Sequence, residues 1–176
     1  SALRGTGLLM AGDESEAVIA AIVTLEDAVT TDPLYVDAWT TLGEAYRRRF
    51  VKTGDSSFLE LGFEAVTKAI ELHPNSMAYR RLSALHRENS DRVADIEALE
   101  ASIRLEPSGA DAYRELAEAL ERNHRIDKAI TALHRAINLR PGYWVYHHEL
   151  ASLYYSRGNY DAASIHWRRV TECAPD

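Results

Sequence analysis

Apolar residues recur along this chain at intervals of three and four, the spacing that gathers them on one face of an α-helix. Trp39, Leu42, Gly43 and Tyr46 make one such face; Tyr113, Leu116, Ala117 and Leu120 make another. Between these lie shorter faces of small, large and small residues, such as Gly62, Val66 and Ala69, or Ala129, Leu133 and Ala136. Each pair of faces ends in a proline. The five prolines, Pro33, Pro74, Pro107, Pro141 and Pro175, are separated by 41, 33, 34 and 34 residues. Proline lacks the amide N–H and clashes with the preceding turn, so each marks a helix stop. A stop recurring at a near-constant period predicts stacked helical hairpins, each packed on its neighbours.

The pattern places approximate repeats at residues 2–33, 36–74, 76–107, 110–141 and 144–175. The first is read as a short helix over 3–11 and a stronger one from Asp13 to Thr30, packing through Ala17, Ala20, Ala21, Thr24, Leu25 and Ala28. The second repeat is seven residues long for the period. Seven is close to two helical turns, which keeps facing residues in phase, so its first helix is expected to reach Val51 or Lys52 and to stop at Gly54. Ser57 and Glu60 have capping-box spacing for the helix that follows. In the third repeat Tyr79, Leu82, Ser83 and His86 form the first face, Asn89-Ser90-Asp91 the turn, and Asp95 stands where a small residue is expected, with Ala94 or Ala98 as the alternative contact. The fifth uses His147, Leu150, Ala151 and Tyr154, a turn at Arg157-Gly158-Asn159-Tyr160, and then Ala163, Trp167 and Val170.

The stretch from Trp39 to Tyr46 reads W-x-x-L-G-x-x-Y, and it resembles the opening half of the tetratricopeptide (TPR) repeat. The resemblance covers nearly the whole chain. It implies an all-α, right-handed solenoid of about five antiparallel helix pairs forming a single domain over 1–176, with first helices lining a concave groove that binds a peptide or a partner helix. Carried over position by position, it makes Thr40, Glu44, Arg47, Arg80, Arg87, Arg114, Glu118, His148 and Tyr155 the candidate groove residues. Arg80 and Arg114 fall at equivalent sites of adjacent repeats, as do Arg47 and Arg87. Guanidinium groups so placed could hold an acidic or C-terminal carboxylate of a partner. The competing expectation is that Glu44, Glu118 and Glu121 neutralise them internally. The Lys and Asn clamp of chaperone-binding TPR domains is absent, since Thr40 and Glu44 occupy the corresponding places. The stretch Tyr46–Asp55 and the stretch Leu139–Trp144 look like the C-terminal TPR regions of bacterial signalling proteins such as serine/threonine kinases or nucleotide cyclases. That likeness implies an alternative role, a regulatory or oligomerisation arm of a larger enzyme.

Composition narrows the function further. With 46% hydrophobic and 27% charged residues the chain is an ordinary folded protein, and a net charge of −7 disfavours nucleic acid as a partner. No apolar run is long enough to span a bilayer. The start, Ser1-Ala2-Leu3-Arg4, lacks an initiator Met and a signal-peptide pattern, which reads as a piece of a longer chain in the cytoplasm. The single cysteine, Cys173, excludes an internal disulfide and a cysteine metal cluster. None of the seven histidines has helical metal-ligand spacing, and no phosphate-binding loop or catalytic triad is recognisable. The expectation is therefore a non-enzymatic protein–protein interaction module with no cofactor. Ala162, Ala163, Ile165, Trp167 and Val170 put apolar residues on more than one side of the final helix. An uncovered side of that kind predicts self-association through the fifth repeat.

Overall fold

The computed structural model describes residues 2–174, with side chains from Glu16 onward. Among the described residues there are nine helices and no strand: α1 (Ala2–Thr31), α2 (Val36–Thr53), α3 (Ser56–Leu72), α4 (Ser76–Glu88), α5 (Arg92–Leu105), α6 (Ala110–Arg122), α7 (Ile126–Leu139), α8 (Trp144–Ser156) and α9 (Tyr160–Cys173). They fall into two compact units, Ser1–Asp91 and Arg92–Asp176. In the first, α1 packs on α2, α2 on α3, and α4 on both α2 and α3. In the second, α5, α6, α7, α8 and α9 each pack on the next.

Helix ends follow local chemistry. Gly54 ends α2 with φ +71°, a left-handed conformation that glycine adopts without the Cβ penalty, and its N–H donates to the Phe50 carbonyl. The extension of α2 past the usual repeat length is therefore real, ending one residue beyond Lys52. The cap of α3 differs from expectation. Asp55, not Ser57, stands at the N-cap and accepts from the Ser57 N–H at 3.0 Å and the Ser57 hydroxyl at 2.8 Å. Asp55 stands just before the first turn of α3, where a carboxylate reaches a free amide, whereas Ser57 already lies inside that turn. Asn75 and Asn159 cap α4 and α9 in the same manner. Ser90, in the expected turn, has φ +60°. Pro175 lies outside the described residues.

The first repeat departs most from expectation. A break was expected near residue 12, yet α1 runs uninterrupted from Ala2 to Thr31, so one helix stands where a pair was expected. The side chains of the 3–11 segment lie outside the described residues. Further along, Ile22 and Val29 are buried, with Val18, Leu25 and Ala28 beside them against Leu42 and Tyr46 of α2. Ala17, Ala20, Ala21 and Thr24 are exposed. The larger residues won the buried stripe because burying them removes more apolar surface from water.

Core packing depends on small residues at helix crossings. A Cβ on Gly43 would collide with the Val66 Cγ2 atom and stand 3.2 Å from the Gly62 carbonyl oxygen; one on Gly62 would meet Leu85 Cδ2 at 2.8 Å. Ala129 and Ala136 are fully buried in the second unit. There Ile96, Leu99, Leu120, Leu133 and Leu150 form one core, with Tyr146 over Ala110 and Ala136 in a second. Asp95, in the position expected to be small, is 3% exposed, and Arg122 of α6 donates to its carboxylate at 2.9 Å. An ion pair thus replaces the close apolar contact.

Over-packing these crossings should be costly. Gly43→Ala forces the stiff Val66 side chain aside, and Ala129→Leu inserts three carbons into a filled site; each is expected to lower stability by about 1–3 kcal/mol. Urea unfolding midpoints check this, and unchanged midpoints would show that the crossings have room to spare.

Candidate functional site on the first-helix faces

In the first unit the candidate residues sit on α2 and α4, and they are largely committed to one another. Thr40 is buried, its hydroxyl donating to the Val36 carbonyl at 2.9 Å. Glu44 is 8% exposed and forms the hub of the face. Arg47 donates to it through Nε and Nη2, both at 3.0 Å, and Arg48 through Nε at 2.9 Å. Arg81 of α4 approaches at 3.3 Å. Arg47 continues to Glu88 at 2.6 Å, tying α2 to α4. Burial pushes the Glu44 carboxyl up, but the hydrogen bonds from Arg47 and Arg48 and the charges of Arg47 and Arg81 outweigh it and hold the group below its ordinary value. Arg80 and Arg87 are half-buried on α4.

Beside this network lies a cavity of about 770 Å³. Ala17, Val18, Ala21 and Leu25 of α1 and Ala45 of α2 supply its apolar wall. Arg48, Arg49 and Lys52, from the last turns of α2, and Arg81 of α4 supply its basic side. Arg49 also lies over the Phe58 ring, 5.7 Å from its centroid.

The second unit presents the opposite electrostatics. Arg114 pairs with Glu118 on α6 and reaches Glu149 of α8 at 3.2 Å. One Glu149 oxygen is buried without a hydrogen-bond partner. Burial raises the Glu149 carboxyl above its ordinary value; Arg114 opposes this, while Glu118 and Glu121 add to it. A cavity of about 150 Å³ opens here, lined by Glu118, Glu121, His148, Glu149 and Ser152 among others. His148 is exposed, edge-on to Trp144 at 6.4 Å. Tyr155, one step off the packing face, is 55% exposed and lies 5.2 Å from the Tyr160 ring and 5.5 Å from the Trp167 ring. Trp167, expected in the core, is 38% exposed, and Ile165 is 59% exposed.

Position-by-position reading thus found residues on these faces and, as its competing expectation, their pairing with Glu44 and Glu118 along the same helix, but not the links between helices. Arg81 and Glu88 were missed because their partners come from a different helix. A histidine cluster was missed for the same reason. His147 Nδ1 faces His166 Nδ1 at 3.1 Å, and His147 Nε2 lies 3.2 Å from the Pro141 carbonyl. His134 contacts the Tyr154 hydroxyl at 3.0 Å, and the His166 ring stacks on Tyr154. These side chains come from α7, α8 and α9. Among the described residues no group of three or more His, Cys, Asp or Glu is arranged to hold a metal ion. Nor is any described helix long and apolar enough to cross a membrane.

Similarity to known proteins agrees with this architecture. A family model described as a tetratricopeptide repeat matches residues 110–153. The structure is similar to the crystal structure of MamA, at 24% identity over 91% of this chain and 90% of that one, with a TM-score of 0.74. MamA from Desulfovibrio magneticus RS-1 is 22% identical over 91% of this chain and 87% of its own, with a TM-score of 0.73. YrrB, described as a TPR protein with an unusual peptide-binding site, is 15% identical over 93% of this chain and 81% of its own, with a TM-score of 0.68. At these identities the likeness is one of fold. No curated protein sequence matches the chain.

Two pH-dependent behaviours follow. Glu44, held below its ordinary value of 4.5, contributes stability that is complete above that value and lost as pH falls through the depressed one. Glu44→Gln should therefore cost about 1–3 kcal/mol at neutral pH, with the gap to the parent closing in acid. Burial, then His147 and His134, lower the His166 imidazole below its ordinary 6.5. As pH drops, the unfolded chain takes up this proton first, so stability is lost from about 6.5 downward. His166→Phe, which keeps a ring on Tyr154, should flatten that fall; thermal midpoints between pH 7.5 and 5 measure it.

Proposed function

We propose that this chain is a protein–protein interaction module that binds a partner segment on its first-helix faces, α2 with α4 in one unit and α6 with α8 in the other. One observation carries the reading: in each unit a cavity opens on those helices, and their polar residues are held in place by ion pairs instead of being left to solvent. Such pre-organisation reduces the ordering cost of binding. The TPR match over α6, α7 and most of α8 supports it. A carboxylate on the partner is the group that Arg80 in the first unit, or Arg114 in the second, would recognise. Arg114 would exchange Glu118 for the incoming group. The exposed Tyr155, Tyr160, Trp167 and Ile165 favour a further contact, self-association through the last helix pair.

Affinity capture with the full chain, read by mass spectrometry, tests the module. His148→Ala with Tyr155→Ala, and Met77→Lys with Arg80→Glu, should each release captured partners at unchanged helicity. Retention by both double variants would overturn the reading. For self-association, light scattering should show a concentration-dependent mass that Ile165→Glu abolishes; a monomer at high micromolar concentration would exclude it.

A further inference from the structure

Within the first unit, α4 has two helices of the preceding pair against it, α2 and α3. One step back, α2 has a single helix before it, the continuous α1. The 770 Å³ cavity is walled by α1 and α2, with Met77 and Arg81 of α4 completing its lining. Its volume corresponds to roughly two turns of α-helix. Ala17 and Ala21 are exposed on the wall and Val18 and Leu25 half-exposed, so an apolar helix face could approach closely over small side chains. Met77, exposed at the α4 side, is a flexible apolar contact.

The charges at this cavity are one-sided. Among the described residues, Arg48, Lys52 and Arg81 line it with one carboxylate, Glu44, which already accepts from Arg47 and Arg48. Arg48 and Lys52 are four residues apart on α2, hence on one helix flank, and both are exposed. Resting on the interaction-module reading, we propose that this cavity is a docking slot for an amphipathic helix of a partner protein, small apolar residues on its buried face and carboxylates along the flank beside Arg48 and Lys52. The apolar wall demands a helix face, and the basic side selects an acidic one. Polyanions such as nucleic acid lack that apolar face and are opposed by the chain's net charge of −7.

Three stapled helical peptides test the slot on the full chain by fluorescence anisotropy. They share an Ala/Leu face and differ in carrying Glu, Gln or Lys along the flank. The Glu peptide should bind at least about tenfold more tightly than the Gln peptide, with the Lys peptide weakest and the preference shrinking as salt rises. Ala21→Trp, filling the cavity from an exposed position, should abolish binding of the Glu peptide. Arg48→Glu with Lys52→Glu should reverse the order of Glu and Lys peptides, with circular dichroism confirming an intact fold. Equal binding of all three peptides, no binding of any, or indifference to Ala21→Trp would overturn the proposal. Displacement of the Glu peptide by a peptide of residues 2–15 would assign the slot to this chain's own segment, from the same or a second copy, and would overturn the partner assignment. A captured partner released by His148→Ala with Tyr155→Ala but not by Ala21→Trp would refute this slot alone and leave the interaction module standing.

Discussion

The structure depends first on how closely its helices can cross. Gly43 and Gly62 let the backbones of α2 and α3 meet at a distance where any Cβ would strike Val66 or Leu85. Ala129 and Ala136 play the corresponding part for α7 in the second unit. Close crossings bring the large residues on either side into contact, so that thin helix pairs, each too small to hold a core alone, bury continuous ones. Dense packing also makes the helix faces rigid, and rigid faces can hold ion pairs in register.

Those ion pairs give each unit its surface character. Glu44 gathers guanidinium groups from two helices, and the neighbouring cavity remains basic because one carboxylate cannot neutralise all of them. Around Arg114 the balance is reversed, with three carboxylates near one guanidinium, and Glu149 is raised by its burial first and by Glu118 and Glu121 in addition. Burial strengthens both effects, since a charge removed from water is influenced more by its neighbours. The internal pairing expected as the competitor to carboxylate binding is present at Glu44 and at Glu118.

Two substitutions in the repeat pattern show how tertiary context rescues a locally unfavourable residue. Asp95 takes a position that ought to be small and apolar, and Arg122 from the next helix satisfies its buried carboxylate. His147 takes the position held by Trp39 in the second repeat, and it is accommodated by the Pro141 carbonyl and His166. The Pro141 contact repeats the six-residue spacing by which the Trp39 ring N–H donates to the Pro33 carbonyl, but Arg122 and His166 come from other helices, so neither of those two could be inferred from spacing.

By itself the sequence determined what depends on a residue and its near neighbours. The periodic apolar faces and spaced prolines specified helices and their order; Gly54 specified the stop of α2, because a left-handed turn there suits glycine. The first-helix positions of Thr40, Glu44, Arg114 and His148 were legible for the same reason. Only the tertiary structure decided the rest. Whether α1 breaks near residue 12, which side of it is buried, and that Asp55 outcompetes Ser57 as a cap depend on small differences between local alternatives. The links from Arg47 to Glu88, from Arg81 to Glu44, and among His134, His147 and His166 join residues on different helices. Periodicity states which face of a helix a side chain occupies; only packing states what stands opposite, because that depends on how neighbouring helices are rotated and spaced.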